Sequence, residues 1–235
     1  MWLVATYRPT ALFSQKSSMA TSSGARTNLV PTPYSIKLAL VEAAFRSGLD
    51  GEAVFTWVKP LTIYLEPPEE AVVNHTFVKV LREPHDKKSG RAFDSTIAYR
   101  EYAFFRGRLR IAFRLAEVGD KREELVRLLA HVQYLGKRGS FVQFCGVEEL
   151  AELPPSFTWH VLDNSRSTLT LNVVFQPLDD VGPSATFDRV NTYSDERLRI
   201  GKDRVFVPTA IPYRLVASSR GYSHYRRVNV ATSRK

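Results

Sequence analysis

A single cysteine, Cys145, excludes an internal disulfide and any cysteine-cluster metal site in this chain. Flanked by Phe141, Val142 and Phe144, it reads as a small buried hydrophobe in a reducing compartment rather than as a nucleophile. No apolar run is long enough to cross a bilayer, and the opening WLVATYRPT lacks the basic lead and apolar core of a secretory signal. A cytoplasmic protein without membrane contact is therefore expected. The acids are scattered, H-x-x-x-H and D-x-D spacings do not occur, and no phosphate-loop or dinucleotide fingerprint follows a strand, so neither a metal nor a cofactor is expected. The aromatic signature of an RNA-recognition domain is also missing.

Acid is missing where it matters most. No Asp or Glu occurs from Met1 to Val41, where Arg8, Lys16, Arg26 and Lys37 stand, and none from Pro212 to Lys235, where five arginines precede Lys235. With a net charge of +9 and both ends basic, the chain suits a nucleic-acid or acidic-surface partner, with solubility alone as the plainer alternative. Hydrophobic content of 44% and charged content of 24% are ordinary for a folded globular protein with a real core.

The stretch from Ser14 to Phe45 organises the rest. Between Ser14 and Tyr34 it holds Lys16 and Arg26, six hydroxyl residues ahead of Arg26, then Thr27 and Thr32. Gly24 lets the main chain approach a ligand, and successive amides around it can form an anion-binding nest. Pro31 and Pro33 set an extended approach, so a helix is expected to begin near Tyr34 or Ser35. Ile36, Leu40, Val41, Ala44 and Phe45 give it one apolar face, and Gly48 a stop. A helix N-terminus would then face a loop rich in hydroxyls and cations, which favours an anion; a surface loop that merely contains serines is the alternative.

Trp2 to Arg8 reads as a strand, Glu52 to Val58 as a short helix and Leu61 to Leu65 as a strand. AVVNHTFVKVL and STIAYREYAFFRGRLRIAFRL form a long hairpin with a basic, glycine-containing tip, and Arg106-Gly107 divides the second run into two strands. Asp120 is a candidate N-cap for a helix striped by Leu125, Leu128, Leu129 and Val132 and ending at Gly136. LGKRGSFVQF is a basic glycine turn entering a strand, and from Phe157 onward the pattern is mostly β. The order strand, helix, hairpin, helix, strand is that of an α+β, ferredoxin-like βαββαβ core. The expected division is a core over 1–153, with a thumb hairpin at about 74–100, and a β-rich portion over 154–235.

Three segments in this order resemble one family. The opening strand, serine-rich loop and PTPYSIKLALVEAAF helix, the run of Arg100, Glu101 and Tyr102 after the hairpin, and the turn of Tyr134, Leu135, Gly136 and Lys137 are similar to the CRISPR-associated Cas five proteins of the RAMP superfamily. The resemblance covers roughly Met1 to Phe144. It implies a non-catalytic subunit of a type I, Cascade-like surveillance complex that holds the 5′ handle of the crRNA and caps the backbone filament. The implied partners are Cas seven type backbone subunits, the large subunit and, through the complex, target DNA. A backbone RAMP subunit of the Cas seven type shares the fold core and stays open.

On this reading Lys16, Ser18, Ser22, Ser23, Gly24, Arg26 and Thr27 contact the handle, Lys87, Lys88 and Arg91 at the hairpin tip contact guide or target backbone, and Lys137 and Arg138 extend the basic surface. Arg100 is either an RNA ligand or the partner of a nearby acid. Tyr222, His224 and Tyr225 alternate with Arg220, Arg226 and Arg227, which suits stacking on nucleic acid and equally an ordinary strand. The enzymatic alternative is metal-independent cleavage of repeat RNA, which needs a general base, an acid and a cation. His224 with its two tyrosines is the cluster that reading would use.

Overall fold

The computed structural model describes residues 1–17, 20, 24–86, 90–161 and 173–228. β1 (Trp2–Pro9) is central because it is apolar on both faces: Leu3, Ala5 and Tyr7 enter the main core, while Val4 joins Tyr64, Ala112 and Phe157 behind the sheet. α1 (Pro33–Arg46) starts at Pro33, whose fixed φ is already helical, and Thr32 caps it. Ile36, Leu40, Val41 and Ala44 are buried as the spacing predicts, but Phe45 is half exposed and Lys37 is buried in its place. Gly48, at φ +74°, ends the helix. α2 (Gly51–Val58) is capped by the Asp50 carboxylate, which accepts from the amides of Glu52 and Ala53.

β2 (Ile63–Glu66) leads into the long hairpin of β3 (Glu70–Arg82) and β4 (Asp94–Arg106), paired from Glu70 with Arg106 to Arg82 with Asp94. Gly107 turns the chain into β5 (Leu109–Arg114), so the second run is two strands, as expected. Asp120 is not an N-cap. It lies in a 3-10 turn over Gly119–Lys121, and α3 (Arg122–His131) begins behind Lys121 without a side-chain cap. α3 also stops short of Gly136, because the Val142 amide binds Gln133 O and Tyr134 pairs with Phe141 as the chain enters β6 (Val142–Leu150). Cys145 on β6 is exposed rather than buried, since its side chain takes the outward place on an edge strand.

These strands run β2-β5-β1-β6, each antiparallel to its neighbour, with the helices in the connections; that is the ferredoxin-like βαββαβ arrangement. β7 (Trp159–His160), β8 (Val174–Val181) and β9 (Arg204–Ile211) form a second sheet in the order β7-β9-β8. β10 (Tyr213–Ser218) and β11 (Tyr222–Arg227) extend the hairpin sheet at its base, where β11 pairs with β3. Leu178, Val181, Ile211 and Tyr213 belong to the same apolar cluster as Leu3 and Leu40, and the Lys37 ammonium reaches from α1 to Asp180 on β8 at 2.7 Å.

Between β8 and β9 the buried Asp203 carboxylate organises the connection. It accepts from Arg199 through Nε (2.8 Å), Nη2 (2.9 Å) and the backbone amide (2.9 Å), from Arg189 Nη1 (3.2 Å) and from the Ser184 hydroxyl (3.2 Å). Arg199 above all holds this carboxyl well below the usual carboxylate range. A depressed folded-state pKa adds stability above the unfolded value, about 4, that is lost as pH falls toward the folded one. Asp203→Asn is therefore expected to lower the melting temperature at pH 7, and the gap from the parent should close as pH drops below about 4. Thermal melts across that range check it, and a gap that persists undiminished at the acid end contradicts it.

Candidate nucleic-acid interface

The described residues of the loop ahead of α1 pair as a ladder. Ser17 N donates to Arg26 O and Asn28 N to Gln15 O, both at 2.8 Å, while the Gln15 amide donates to the Thr27 hydroxyl at 3.0 Å. Phe13 fastens one end, exchanging backbone hydrogen bonds with Ala103 on β4 and setting its ring 5.1 Å from that of Phe105. The Gln15 side chain fastens the other, because its Nε2 donates to Leu135 O at 2.8 Å. The basic turn after α3 thus packs against the loop. Gly136, at φ +75°, sits tightly against the loop: a Cβ there would lie 3.1 Å from Gln15 Nε2, which would have to give by a few tenths of an ångström.

Where loop, turn and α1 meet, a pocket of about 510 Å³ opens, lined among others by Gln15, Lys16, Asn28, Tyr34, Lys137 and Arg204. Lys16 and Lys137, 121 positions apart by their numbers (137 − 16), arrive in one place. The first turn of α1 contributes less than an open helix end would. Thr32 Oγ1 accepts from Ser35 N, Ser35 Oγ accepts from Thr32 N, and Pro33 has no N–H. The charges here come from side chains of both signs, Lys16, Lys137 and Arg204 with Glu42 and Asp179. Arg204 donates to Asp179 through Nε at 2.7 Å and lies 4.5 Å above the Tyr34 ring. Burial pushes the Tyr34 hydroxyl up from the ordinary phenol value, with Arg204 pulling the other way.

A second pocket of about 370 Å³ lies at the base of the hairpin, lined by Arg26, Thr27, His75, Glu101, Phe175 and Ser223 among others. Glu101 accepts from Thr27 N at 2.8 Å and meets His75 Nδ1 at 3.0 Å. The two cations of one loop therefore serve different pockets, Lys16 the first and Arg26 the second. Thr27 is buried and its hydroxyl is engaged inside the ladder. Gly24 pairs with Tyr99 at the edge of β4. Arg100 lines neither pocket and donates to Tyr99 O at 3.1 Å. Arg91 is exposed and 3.9 Å from Asp94, and Arg138 is exposed on the basic turn. Ser18, Ser22, Ser23, Lys87 and Lys88 lie outside the described residues.

Arg226, Arg227 and His224 of the C-terminal strand meet acceptors at the base of the hairpin, while Tyr222 and Arg226 stay exposed. Arg226 donates to Glu70 at 3.2 Å, Arg227 to Pro67 O at 2.8 Å, and His224 Nε2 lies 3.6 Å from Glu70. Arg106, from the facing strand, holds the Glu70 carboxyl below its ordinary value. Sequence reasoning missed Gln15, Asn28, Asp179 and Arg204. The first two carry no charge, and the last two come from strands that only the tertiary fold brings near the loop.

No family model matches the chain. A CRISPR-associated protein Cas5 from Archaeoglobus fulgidus is 25% identical over 198 residues, which span 82% of this chain and 85% of that protein. The chain is similar to this Cas5 protein along most of its length. Two solved structures align at lower identity. A crystal structure of a CRISPR protein from Archaeoglobus fulgidus aligns over 97% of this chain and 92% of its own, with 12% identity and a TM-score of 0.47. A chain of a CRISPR RNA-guided surveillance complex aligns over 90% and 91%, with 13% identity and a TM-score of 0.49. The 198 residues aligned with the Cas5 protein take in most of the ferredoxin-like core and residues beyond it, so the likeness is not confined to the three short motifs.

Proposed function

We propose that this chain is an RNA-binding subunit of a type I CRISPR surveillance complex that holds the 5′ handle of the crRNA without cleaving it. The observation that carries this reading is the convergence of Lys16 and Lys137 on one pocket at the head of α1. A single-stranded RNA end needs cations for its phosphates and polar edges and rings for its bases, and the pocket supplies both. The pocket with Arg26 gives the same strand a second point of contact, and the β3–β4 hairpin stands beside it as a thumb. Binding without catalysis is supported by His131 and His224: His131 Nδ1 lies 2.8 Å from Arg127 O, whereas His75 pairs with Glu101 on the wall of the second pocket. His224 faces an acid, not an open pocket floor.

The test is filter retention of crRNA across a salt series. Lys16→Ala with Lys137→Ala is expected to weaken binding about tenfold at low salt and to flatten the salt dependence by roughly 0.7 per lost phosphate contact. Binding unchanged in both respects ends the assignment. Incubation of the parent protein with repeat RNA in EDTA separates the catalytic reading, since specific cleavage would establish a metal-independent nuclease.

A further inference from the structure

The face of the core sheet turned away from the helices is covered over only part of its length. In β1, Leu3, Ala5 and Tyr7 enter the main core, so Val4, Thr6 and Arg8 point to the other side. There Phe157 and Leu153, from the segment after β6, close over Val4, Tyr64 and Ala112. Arg8 lies beyond that cover. Tyr7 pairs with Leu109, so Arg108, one residue ahead of Leu109, comes beside Arg8. On its other flank Arg8 pairs with Gln143, and Phe141 stands two places before Gln143 on the same side. All four are exposed, Phe141 to 48%.

Two like charges on neighbouring strands repel unless an anion lies against both. The acids nearby are engaged elsewhere. Arg110, opposite Thr6, takes Glu66 at 2.7 Å and Glu148 at 2.6 Å, and Glu69, beside Gly107, faces Arg227 at 4.0 Å. Neither Arg8 nor Arg108 belongs to an ion pair among the described residues. Guanidinium groups grip a phosphate through paired N–H donors, and an exposed ring offers a base a face to stack on. An acidic peptide needs the arginines but not the bare ring. We infer that this face is a second site for single-stranded nucleic acid, with Arg8 and Arg108 on a phosphate and Phe141 under a base. It goes beyond the RNA pocket proposed above, which lies on the α1 side of the sheet. The turn of Lys137 and Arg138 stands in the chain between Tyr134, on the wall of that pocket, and Phe141, so one strand can pass around the turn from one site to the other.

Photocrosslinking with the full chain tests this. The probes are a uridylate RNA dodecamer carrying 5-bromouridine and its deoxyuridine counterpart, with the crosslinked peptides mapped by mass spectrometry. Phe141 is expected to crosslink to both, since neither a phosphate contact nor a ring face reads the 2′-hydroxyl, and to keep its crosslink in Lys16→Ala with Lys137→Ala. Arg8→Gln with Arg108→Gln should abolish that crosslink, weaken RNA binding about tenfold at low salt and flatten the salt dependence by roughly 1.4, or 0.7 for each lost contact. A parent protein that binds the RNA without a crosslink at Phe141 overturns the inference and leaves the pocket at α1 standing. So does an arginine variant with unchanged affinity and salt dependence. A Phe141 crosslink with RNA binding indifferent to Lys16 and Lys137 supports this face and overturns the pocket instead. Displacement of the RNA by polyglutamate as readily as by unlabelled RNA would assign the face to an acidic protein and overturn the inference. Should the arginine variant melt below the parent, the crosslink in the parent decides.

Discussion

Lys37→Met is expected to destabilise the protein by about 3–5 kcal/mol, a loss of roughly 6–20 °C in melting temperature for a chain of this size. Lys37 is 1% exposed; its ammonium meets Asp180 at 2.7 Å and donates to Lys59 O at 2.8 Å. Burial pushes the Lys37 ammonium down and the Asp180 carboxyl up, with the partner's charge opposing each shift. Removing Lys37 leaves the Asp180 carboxylate, 22% exposed at the edge of the core, without its cation, which costs more than the pair gains over an apolar replacement. The double variant Lys37→Met with Asp180→Leu should accordingly recover most of the loss. Denaturant titration of the single and double variants measures both. A single-variant loss under about 1 kcal/mol would show that water reaches the pair and that the clamp between α1 and β8 is weak.

Gly136→Val is expected to cost about 2–5 kcal/mol and, under the proposed function, to weaken crRNA binding at the same time. Two effects add. A φ of +75° costs a side chain with a Cβ about 1–2 kcal/mol, and overpacking against Gln15, 3.1 Å away, costs about 1–3 kcal/mol more. Gly139 provides the internal control: it also has a positive φ, +106°, but a Cβ there would meet nothing within 4 Å. Gly139→Ala should pay only the backbone strain and leave RNA affinity unchanged. Equal losses of affinity in the two variants would separate the turn from the pocket.

Much of the scaffold was legible because it is written in local periodicity. The apolar face of α1, the long hairpin and its division at Arg106-Gly107 follow from spacing and turn residues alone. The site was legible only in its charges. Lys16, Arg26 and Lys137 stand out in an acid-free or glycine-rich setting, but nothing local says that Lys16 and Lys137 share a pocket while Arg26 turns to another. Gln15 and Asn28 give no signal in a serine-rich loop, since their burial arises from contacts such as Gln15 with Leu135. Asp120 and Cys145 show the same limit from the other side: each has the right residue type, and the chain around each takes a different course.

The central place of β1 bears on how the protein is made. Leu3 pairs with Phe113 on one side and with Glu149 on the other, so the strand is synthesised long before either neighbour exists. Sheet closure must wait for β6 to leave the ribosome, and contacts this distant in sequence make assembly slow. In that interval Leu3, Val4 and Tyr7, all buried in the finished fold, travel uncovered, so the nascent chain is most exposed to aggregation before β6 arrives.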